Sequence, residues 1–293
     1  MTMKILITGA PGNVGTEIVR QLHGLDVPFR VGARNVDRAR DALGHATNVV
    51  RFDFTDPTTY RQTFAGIERM FLVRPPRLAN VARDIAPAVY AAIGAGVKQV
   101  VFLSLQGVEQ NRVAPHHKIE KLLCRLGVTY TFLRCGFFMQ NLSTTHRDEI
   151  RCEDVIAVPV GQAKTCFIDT RDIAAVAVRT LTEDGHANQA YTLTGGEALD
   201  YYQVADILSA VLQRPIRYTD PAVPVFLRRQ LASKQPPGFA LVVTALYTLT
   251  RFGLSQQCTP DLTQVLGRAP LTFRQFAEDY AEVWQPPGAA EAV

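Results

Sequence analysis

The sequence predicts an α/β protein: a parallel sheet wound with helices on both faces, followed by a smaller C-terminal α/β lobe. Three observations predict it. Short β-branched runs alternate with helical stripes through the first half of the chain. Those runs are apolar almost throughout, as strands covered on both faces are. After about residue 150 the rhythm changes to short strands mixed with helices.

"KILIT" reads as the first strand, and Val14, Ile18 and Leu22 then recur every four residues on one helix face. "PFRVGA", "VVRF" and "RMFLV" read as strands two to four. Val81, Ile85, Val89 and Ile93 form one long helical stripe, which "GAG" ends. "QVVFLS" is strand five, Ile119, Leu122, Leu123 and Leu126 give the next helix face, and "VTYTFLR" is strand six. Right-handed crossovers turn this alternation into a Rossmann-like doubly wound parallel sheet over residues 1–150. Residues 151–293 carry "DVIAVPV", "TCFI" and "AYTLTG" with helices near 171–182 and 200–213, the second made amphipathic by Val204, Ile207, Leu208, Val211 and Leu212. This is the smaller lobe, with some of its segments expected to return to the sheet edge. Prolines cluster at 221–224 and 236–237.

The charge balance is mild. Lys plus Arg is 31 and Asp plus Glu is 27, a net +4, and the basic residues are scattered, which argues against a nucleic-acid partner. The five cysteines, Cys124, Cys135, Cys152, Cys166 and Cys258, are odd in number and form no CxxC pair. Reduced thiols in a cytoplasm are expected, with neither a disulfide framework nor a metal site. His116 and His117 have no Cys, Asp or Glu at metal-ligand spacing. No basic-then-apolar leader is visible before the first strand. The apolar run "FALVVTALYTLT" is too short to span a bilayer and reads as a buried helix or a lobe wall.

"KILITGAPGNVG" carries the main functional signal. Gly9, Gly12 and Gly15, with Pro11, Asn13 and Val14 between and around them, lie between a strand and a helix. Gly9 permits a tight turn, Gly12 lets a pyrophosphate reach the backbone at the helix N-terminus, and Gly15 lets the helix pack closely. A glycine-rich turn without ligand is the alternative. After strand two, where an acid would read the ribose 2′-OH of NAD, the chain has Gly32-Ala33-Arg34. Arg34, helped by Arg38, suits a 2′-phosphate and predicts NADP, with NADPH preferred over NADH. Asp37 falls inside the helix start and is a poor rival. A solvated basic loop is the other reading of Arg34. Asp53 follows strand three near the adenine edge, although Asp56-Pro57 would start a helix whatever binds nearby.

"ILITGAPGNVG", "DFTDP", "VVFLSLQGV", "HHKIEKLLCRLGVTYTFLRCGFFMQNL" and "TLTGGEALDYYQVADIL" occur in order. Together they resemble the NmrA-like branch of the atypical short-chain dehydrogenase/reductases, clearly to about residue 220 and more loosely beyond. The resemblance implies that Gly9, Gly12, Asn13, Val14 and Gly15 form the dinucleotide loop, that Arg34 faces the 2′-phosphate, and that Asp53 and Phe54 flank the adenine. It implies that Val73, Arg74 and Pro75 pass the cofactor ribose, with Ser104 and the segment from Arg134 to Asn141, including Cys135 and Phe137, bordering the nicotinamide. Cys135 replaces the family's usual proline. Gln106, Phe138 and Met139 are substrate-pocket candidates, and core packing is an equal reading of Phe137, Phe138 and Met139.

Ordinary short-chain dehydrogenases use Ser, Tyr and Lys. Counting back from Glu120, those positions fall on Gln106, Arg112 and His116, and no Tyr lies between Tyr90 and Tyr130. Alcohol–ketone chemistry is therefore not expected, nor is sugar-nucleotide epimerase chemistry. Acceptors needing little acid help, such as quinones, azo dyes, enones and iminium ions, fit better. His116 is the one weak proton-donor candidate, with a ribose contact or a cap-region hydrogen bond as its other reading; His117 reads as exposed. The expectation is an NADPH-dependent reductase of a small electron-poor, quinone-like acceptor. The alternative is a non-catalytic NADP-binding redox sensor. Phe226, Phe239, Tyr247 and Phe252 could roof a small-molecule pocket, and a homodimer through this lobe is left open.

Overall fold

The computed structural model describes residues 5–232 and 237–286. The chain begins β1 (Ile5–Thr8), α1 (Asn13–Gly24), β2 (Phe29–Ala33), α2 (Val36–Leu43), β3 (Val49–Arg51), α3 (Tyr60–Phe64) and β4 (Arg69–Leu72). It continues α4 (Val81–Asp84), α5 (Ala86–Gly94), β5 (Gln99–Leu105), α6 (Pro115–Arg125) and β6 (Thr129–Cys135). Then come β7 (Phe137–Phe138), α7 (Gln140–Ser143), α8 (Arg147–Glu153), β8 (Val155–Ala157), β9 (Thr165–Ile168), α9 (Thr170–Thr182) and β10 (Gln189–Leu193). The last elements are β11 (Ala198–Leu199), α10 (Tyr201–Leu212), β12 (Arg217–Thr219), α11 (Val223–Ala232), α12 (Pro237–Arg251), α13 (Asp261–Leu266) and α14 (Phe273–Asp279).

Two compact units result. The first runs to Cys135 and adds Thr170–Leu193; the second takes Gly136–Asp169 and the chain from Thr194 onward. The first unit is built on a seven-stranded sheet in the order β10-β6-β5-β4-β1-β2-β3, parallel throughout. Parallel pairing forces a crossover between strands, and the helices that make those crossovers cover the sheet faces. One apolar core joins Leu6, Met70, Leu72, Val100 and Phe102 of the strands to Phe64, Val89, Ile119 and Leu123 of the helices. The stripe from Val81 to Ile93 is two helices rather than one. Pro87 stands in the first turn of α5, where it offers no N–H, and the break falls at Ile85.

The second unit starts at Gly136 rather than near residue 150, because Phe137–Phe138 already pairs with Phe167–Ile168. It holds the sheet β11-β9-β7 and the pair β12-β8. Its core gathers Phe167, Tyr201, Leu208, Phe226, Tyr247, Phe273, Phe276 and Trp284. His146 is fully buried there, with Nε2 2.5 Å from the Tyr247 hydroxyl and Nδ1 3.2 Å from Glu149.

Three sequence expectations change here. Cys166 and Cys258 are joined in a disulfide, not free. They lie 92 residues apart, so no spacing announces the pair; the Cys166 N–H donates to the Ser255 carbonyl at 2.8 Å, which brings Cys258 alongside. Cys124, Cys135 and Cys152 remain free. The run in α12 is not a buried helix: Ala240, Thr244 and Tyr247 face the core while Leu241, Val242, Leu246 and Leu249 are exposed. Phe226 is buried and Phe252 exposed, and the Phe239 side chain lies outside the described residues. Among the described residues no helix is long and apolar enough to cross a membrane, and no cluster of His, Cys, Asp or Glu could hold a metal.

Candidate functional site

From β1 the sheet is wound outward to β2 and β3 on one side, and to β4, β5, β6 and β10 on the other. The winding reverses between β1 and β4, so a crevice opens at their carboxyl ends. Thr8 locks the two ends together: its Oγ1 donates to the Phe71 carbonyl and accepts the Val73 N–H, both at 2.9 Å.

The glycine loop follows directly. Gly9 has φ +79°, and a Cβ there would lie 2.7 Å from the Cβ of Val73. A Cβ on Gly12 would lie 2.7 Å from the Gly9 carbonyl oxygen, and one on Gly15 would lie 2.8 Å from the same oxygen. The loop is thus folded onto itself at a distance only glycine allows. The Ala10–Pro11 peptide is cis, and Pro11 is exposed. Gly12 caps α1 and has no side chain to bond the first-turn amides; the ladder begins with Thr16 N–H to Gly12 O at 2.9 Å. The amides of Asn13, Val14 and Gly15 therefore keep the donor capacity that all helix starts have. No acid sits in that first turn, so the positive end of the α1 dipole is uncompensated. Val14 itself is buried, and it can offer a ligand only its backbone.

Arg34 leaves the end of β2 exposed, with no hydrogen bond or ion pair among the described residues, and Arg38 is exposed as well. Asp37 lies in the first turn of α2, whose cap is Asn35 accepting from Arg38 N–H at 3.0 Å. Asp53 is half-buried. Its carboxylate accepts from the Thr55 amide at 2.9 Å and hydroxyl at 2.8 Å, and Arg77 stands 3.9 Å away. Burial pushes this carboxyl up, but the Thr55 bonds together with Arg77 and Arg34 outweigh it and leave it below the ordinary carboxylate value. Phe54 is buried, and its carbonyl accepts from the Tyr60 hydroxyl at 2.6 Å.

Val73, Arg74 and Pro75 continue β4 into the same edge. Arg74 is half-buried, and one of its terminal nitrogens donates to the carbonyls of Pro75, Pro76 and Leu78, each at 3.0 Å. His116, in the first turn of α6, packs on Phe102 with ring centres 5.8 Å apart. Burial first, and Arg74 second, push its pKa from 6.5 down to about 3. It is neutral at physiological pH: it can hold a hydrogen bond but has no imidazolium proton to deliver. A stability consequence follows. The unfolded chain protonates this histidine below 6.5 while the folded protein resists until about 3. Its contribution is therefore present above 6.5 and is lost as pH falls toward 3. Urea midpoints measured at about pH 7 and about pH 5 should differ more in the parent than in His116→Phe. His117 is half-buried rather than exposed, with Nδ1 3.1 Å from the Val108 carbonyl.

A buried ion cluster lies beside these residues. Ser104 on β5 and Arg134 on β6 are register partners. The Ser104 hydroxyl donates to Glu120 at 2.7 Å, and Arg134 donates to both Glu120 oxygens at 3.1 and 2.8 Å. Glu109 adds a contact to Arg134 at 3.3 Å. The Glu120 hydrogen bonds hold the Arg134 pKa above its ordinary value. Sequence reading had Ser104 but gave Glu120 no role. The signal was there: Glu120 is a carboxylate among Ile119, Leu122 and Leu123 on an apolar helix face, and buried charges come paired.

The half-buried Gln106 donates its N–H to the Cys135 carbonyl at 3.0 Å. Cys135 is buried, and burial pushes its thiol pKa far up, so it remains a thiol. In the second unit Met139 lies within the core. Phe137 is half-buried against Phe167 and Tyr247, at 6.2 and 5.2 Å between ring centres, and Phe138 is half-exposed. Sixteen of the sequence candidates, from Gly9 to Cys135, belong to the first unit, and Phe137, Phe138 and Met139 to the second.

Comparison with known proteins agrees with the fold. The chain is 32% identical over 286 residues to an NAD(P)H azoreductase of Xenophilus azovorans, covering 94% of this chain and 98% of that one. Its structure is similar to that of the Citrobacter sp. triphenylmethane reductase complexed with NADP(H), with a TM-score of 0.83 at 22% identity over 95% of this chain and 100% of that one. It is similar too to the Escherichia coli NADPH-dependent quinone oxidoreductase complexed with NADPH, with a TM-score of 0.83 at 23% identity over 94% and 99%. At such identities those two likenesses speak to the fold. The NmrA-like family matches residues 1–276, nearly the whole chain. On that match, and on a relative above 30% identity across its length, this chain belongs to the NmrA-like family.

Proposed function

We propose that this protein is an NADPH-dependent oxidoreductase that delivers hydride to a small electron-poor acceptor, quinone-like in character, without a Tyr–Lys pair. The observation that carries the reading is the uncapped start of α1 at the β1/β4 reversal, reached through glycines whose Cβ positions are already filled by backbone or by Val73. Such a start binds pyrophosphate through N–H groups and the helix dipole. The residues fit the cofactor. Gly9, Pro11, Gly12, Asn13, Val14 and Gly15 would cradle the diphosphate. Arg34 would meet the 2′-phosphate, Asp53 and Phe54 the adenine, and Val73, Arg74 and Pro75 the ribose. Ser104, Cys135 and Phe137 would border the nicotinamide. When bound, NADPH supplies a hydride.

The protein's part is to orient and to shape. His116, kept neutral by burial, could offer a hydrogen bond but has no imidazolium proton to give, so the proton that completes reduction would come from water. This favours acceptors whose hydride adduct is a stabilised anion, such as the hydroquinone monoanion that a quinone gives before water protonates it. Gln106 in the first unit, and Phe138 and Met139 in the second, are the acceptor-pocket candidates. The azoreductase relative supports NAD(P)H-driven reduction of a small electron-poor acceptor.

The exposed, unpartnered Arg34 makes the cofactor choice testable. Arg34→Ala should weaken NADPH binding by about 1–3 kcal/mol, the worth of a charge-assisted hydrogen bond, and leave NADH binding nearly unchanged. Fluorescence titration of both nucleotides reads this directly. Equal losses would mean that Arg34 does not read the 2′-phosphate.

A further inference from the structure

We infer that the Arg74 side chain is an anion-binding group for the acceptor, selecting substrates that carry a sulfonate, carboxylate or other negative oxygen. The inference rests on the oxidoreductase reading above. It starts from a contrast among the arginines of the first unit. Arg69 has Asp184, Arg77 has Asp53, Arg83 has Asp84 and Arg134 has Glu120. Arg74 has no carboxylate among the described residues, and its Nε is buried with no hydrogen-bond partner. Burial alone acts on it, lowering its pKa. A guanidinium stays charged in a protein, so a buried one with no counter-charge is costly unless something negative meets it.

Arg30 is wired in the same way, with one nitrogen on the carbonyls of Gln62, Thr63 and Ala65 and a buried Nε without partner. Its acceptors, though, are the last turn and end of α3, where the helix dipole supplies negative charge. The carbonyls that hold Arg74 belong to Pro75, Pro76 and Leu78, which form a loop with no helix end. Those three bonds use a single nitrogen. They fix the plane of the guanidinium and leave its second terminal nitrogen, which takes no hydrogen bond among the described residues, to donate to a negative oxygen.

The place matches the role. Arg74 follows β4 at the reversal of the sheet, next to Val73, which lies against Gly9. His116 is close enough to feel its charge and is neutral, so it adds a donor without repelling an anion or neutralising the arginine. An acid here would pair with Arg74 and silence it; an imidazole kept neutral does not.

The test is equilibrium binding, by calorimetry, of anthraquinone-2-sulfonate and the uncharged 2-(hydroxymethyl)anthraquinone, with NADPH titrated separately. The parent should prefer the sulfonate by about 10- to 100-fold, less at high salt. Arg74→Met should abolish the preference while leaving the neutral quinone within about twofold of the parent; the NADPH titration reads the part Arg74 plays at the ribose separately. Arg74→Lys, which keeps the charge, should retain part of it. No preference in the parent, or a preference that survives Arg74→Met, would overturn the inference. So would a loss confined to NADPH, which would leave Arg74 its ribose role alone, or an equal loss for all three ligands, which would make it a loop support. These readings do not depend on turnover, so failure of the reductase reading would be seen separately, as absent NADPH oxidation by the parent.

Discussion

Gly12→Ala should lose NADPH binding by about 100-fold or more, the equivalent of about 3 kcal/mol, while the protein still folds. The backbone of Gly12 is extended, with φ −141° and ψ 167°, so alanine suffers no torsional penalty there. The damage is steric and local. The new Cβ would lie 2.7 Å from the Gly9 carbonyl oxygen, and that neighbour is backbone, which cannot rotate away. The loop must open, and the first-turn amides of α1 move off the line on which a diphosphate would lie. Gly9→Ala should cost more stability, about 2–4 kcal/mol, because φ +79° is added to a clash with Val73. Gly24→Ala is the control. It sits at the other end of α1 with nothing within 4 Å of its Cβ position, and it should be neutral in binding and neutral or slightly stabilising. Nucleotide titration beside thermal melts separates the three outcomes.

Glu120→Ala should be the most destabilising single change in the ion cluster, by about 3–5 kcal/mol. It removes the partner of two Arg134 hydrogen bonds and the acceptor of the Ser104 hydroxyl in one step. Arg134 would keep only Glu109, on its more exposed side. The cost comes from stranding a charge, not from the value of the pair, since desolvating both ions offsets most of their attraction. The double change Glu120→Leu with Arg134→Met should therefore fall well short of the sum of the singles. A urea double-mutant cycle measures that coupling. If the singles proved additive, Glu120 and Arg134 would be acting independently and the cluster would not be a unit.

The fold was legible because the two periodicities are clean. Apolar runs such as "QVVFLSL" need cover on both faces, and the stripes of α1 and α6 supply it. The glycine loop was legible because each glycine has a distinct steric reason to be one. What sequence could not show were contacts that close across long separations. The disulfide between Cys166 and Cys258 depends on Ser255 reaching β9, and pattern does not encode that. The break at Ile85 needed the rule that a proline favours a first turn to override an unbroken stripe. Glu120 was hidden differently. It was read as a landmark in a helix when its meaning lay in the strands beneath it. The state of His116 depends on burial and on an arginine 42 positions earlier in the chain, as the numbering shows, and neither is visible along the helix.

The central claim is reduction driven by NADPH. Oxidation of NADPH and of NADH, followed at the nicotinamide absorbance against a panel of quinones, azo dyes and enones, tests it most directly. Turnover above the uncatalysed rate is expected with at least one quinone-like acceptor, and faster with NADPH than with NADH. Tight NADPH binding with no turnover on any acceptor would contradict it, and would leave a dinucleotide-binding sensor in place of the enzyme.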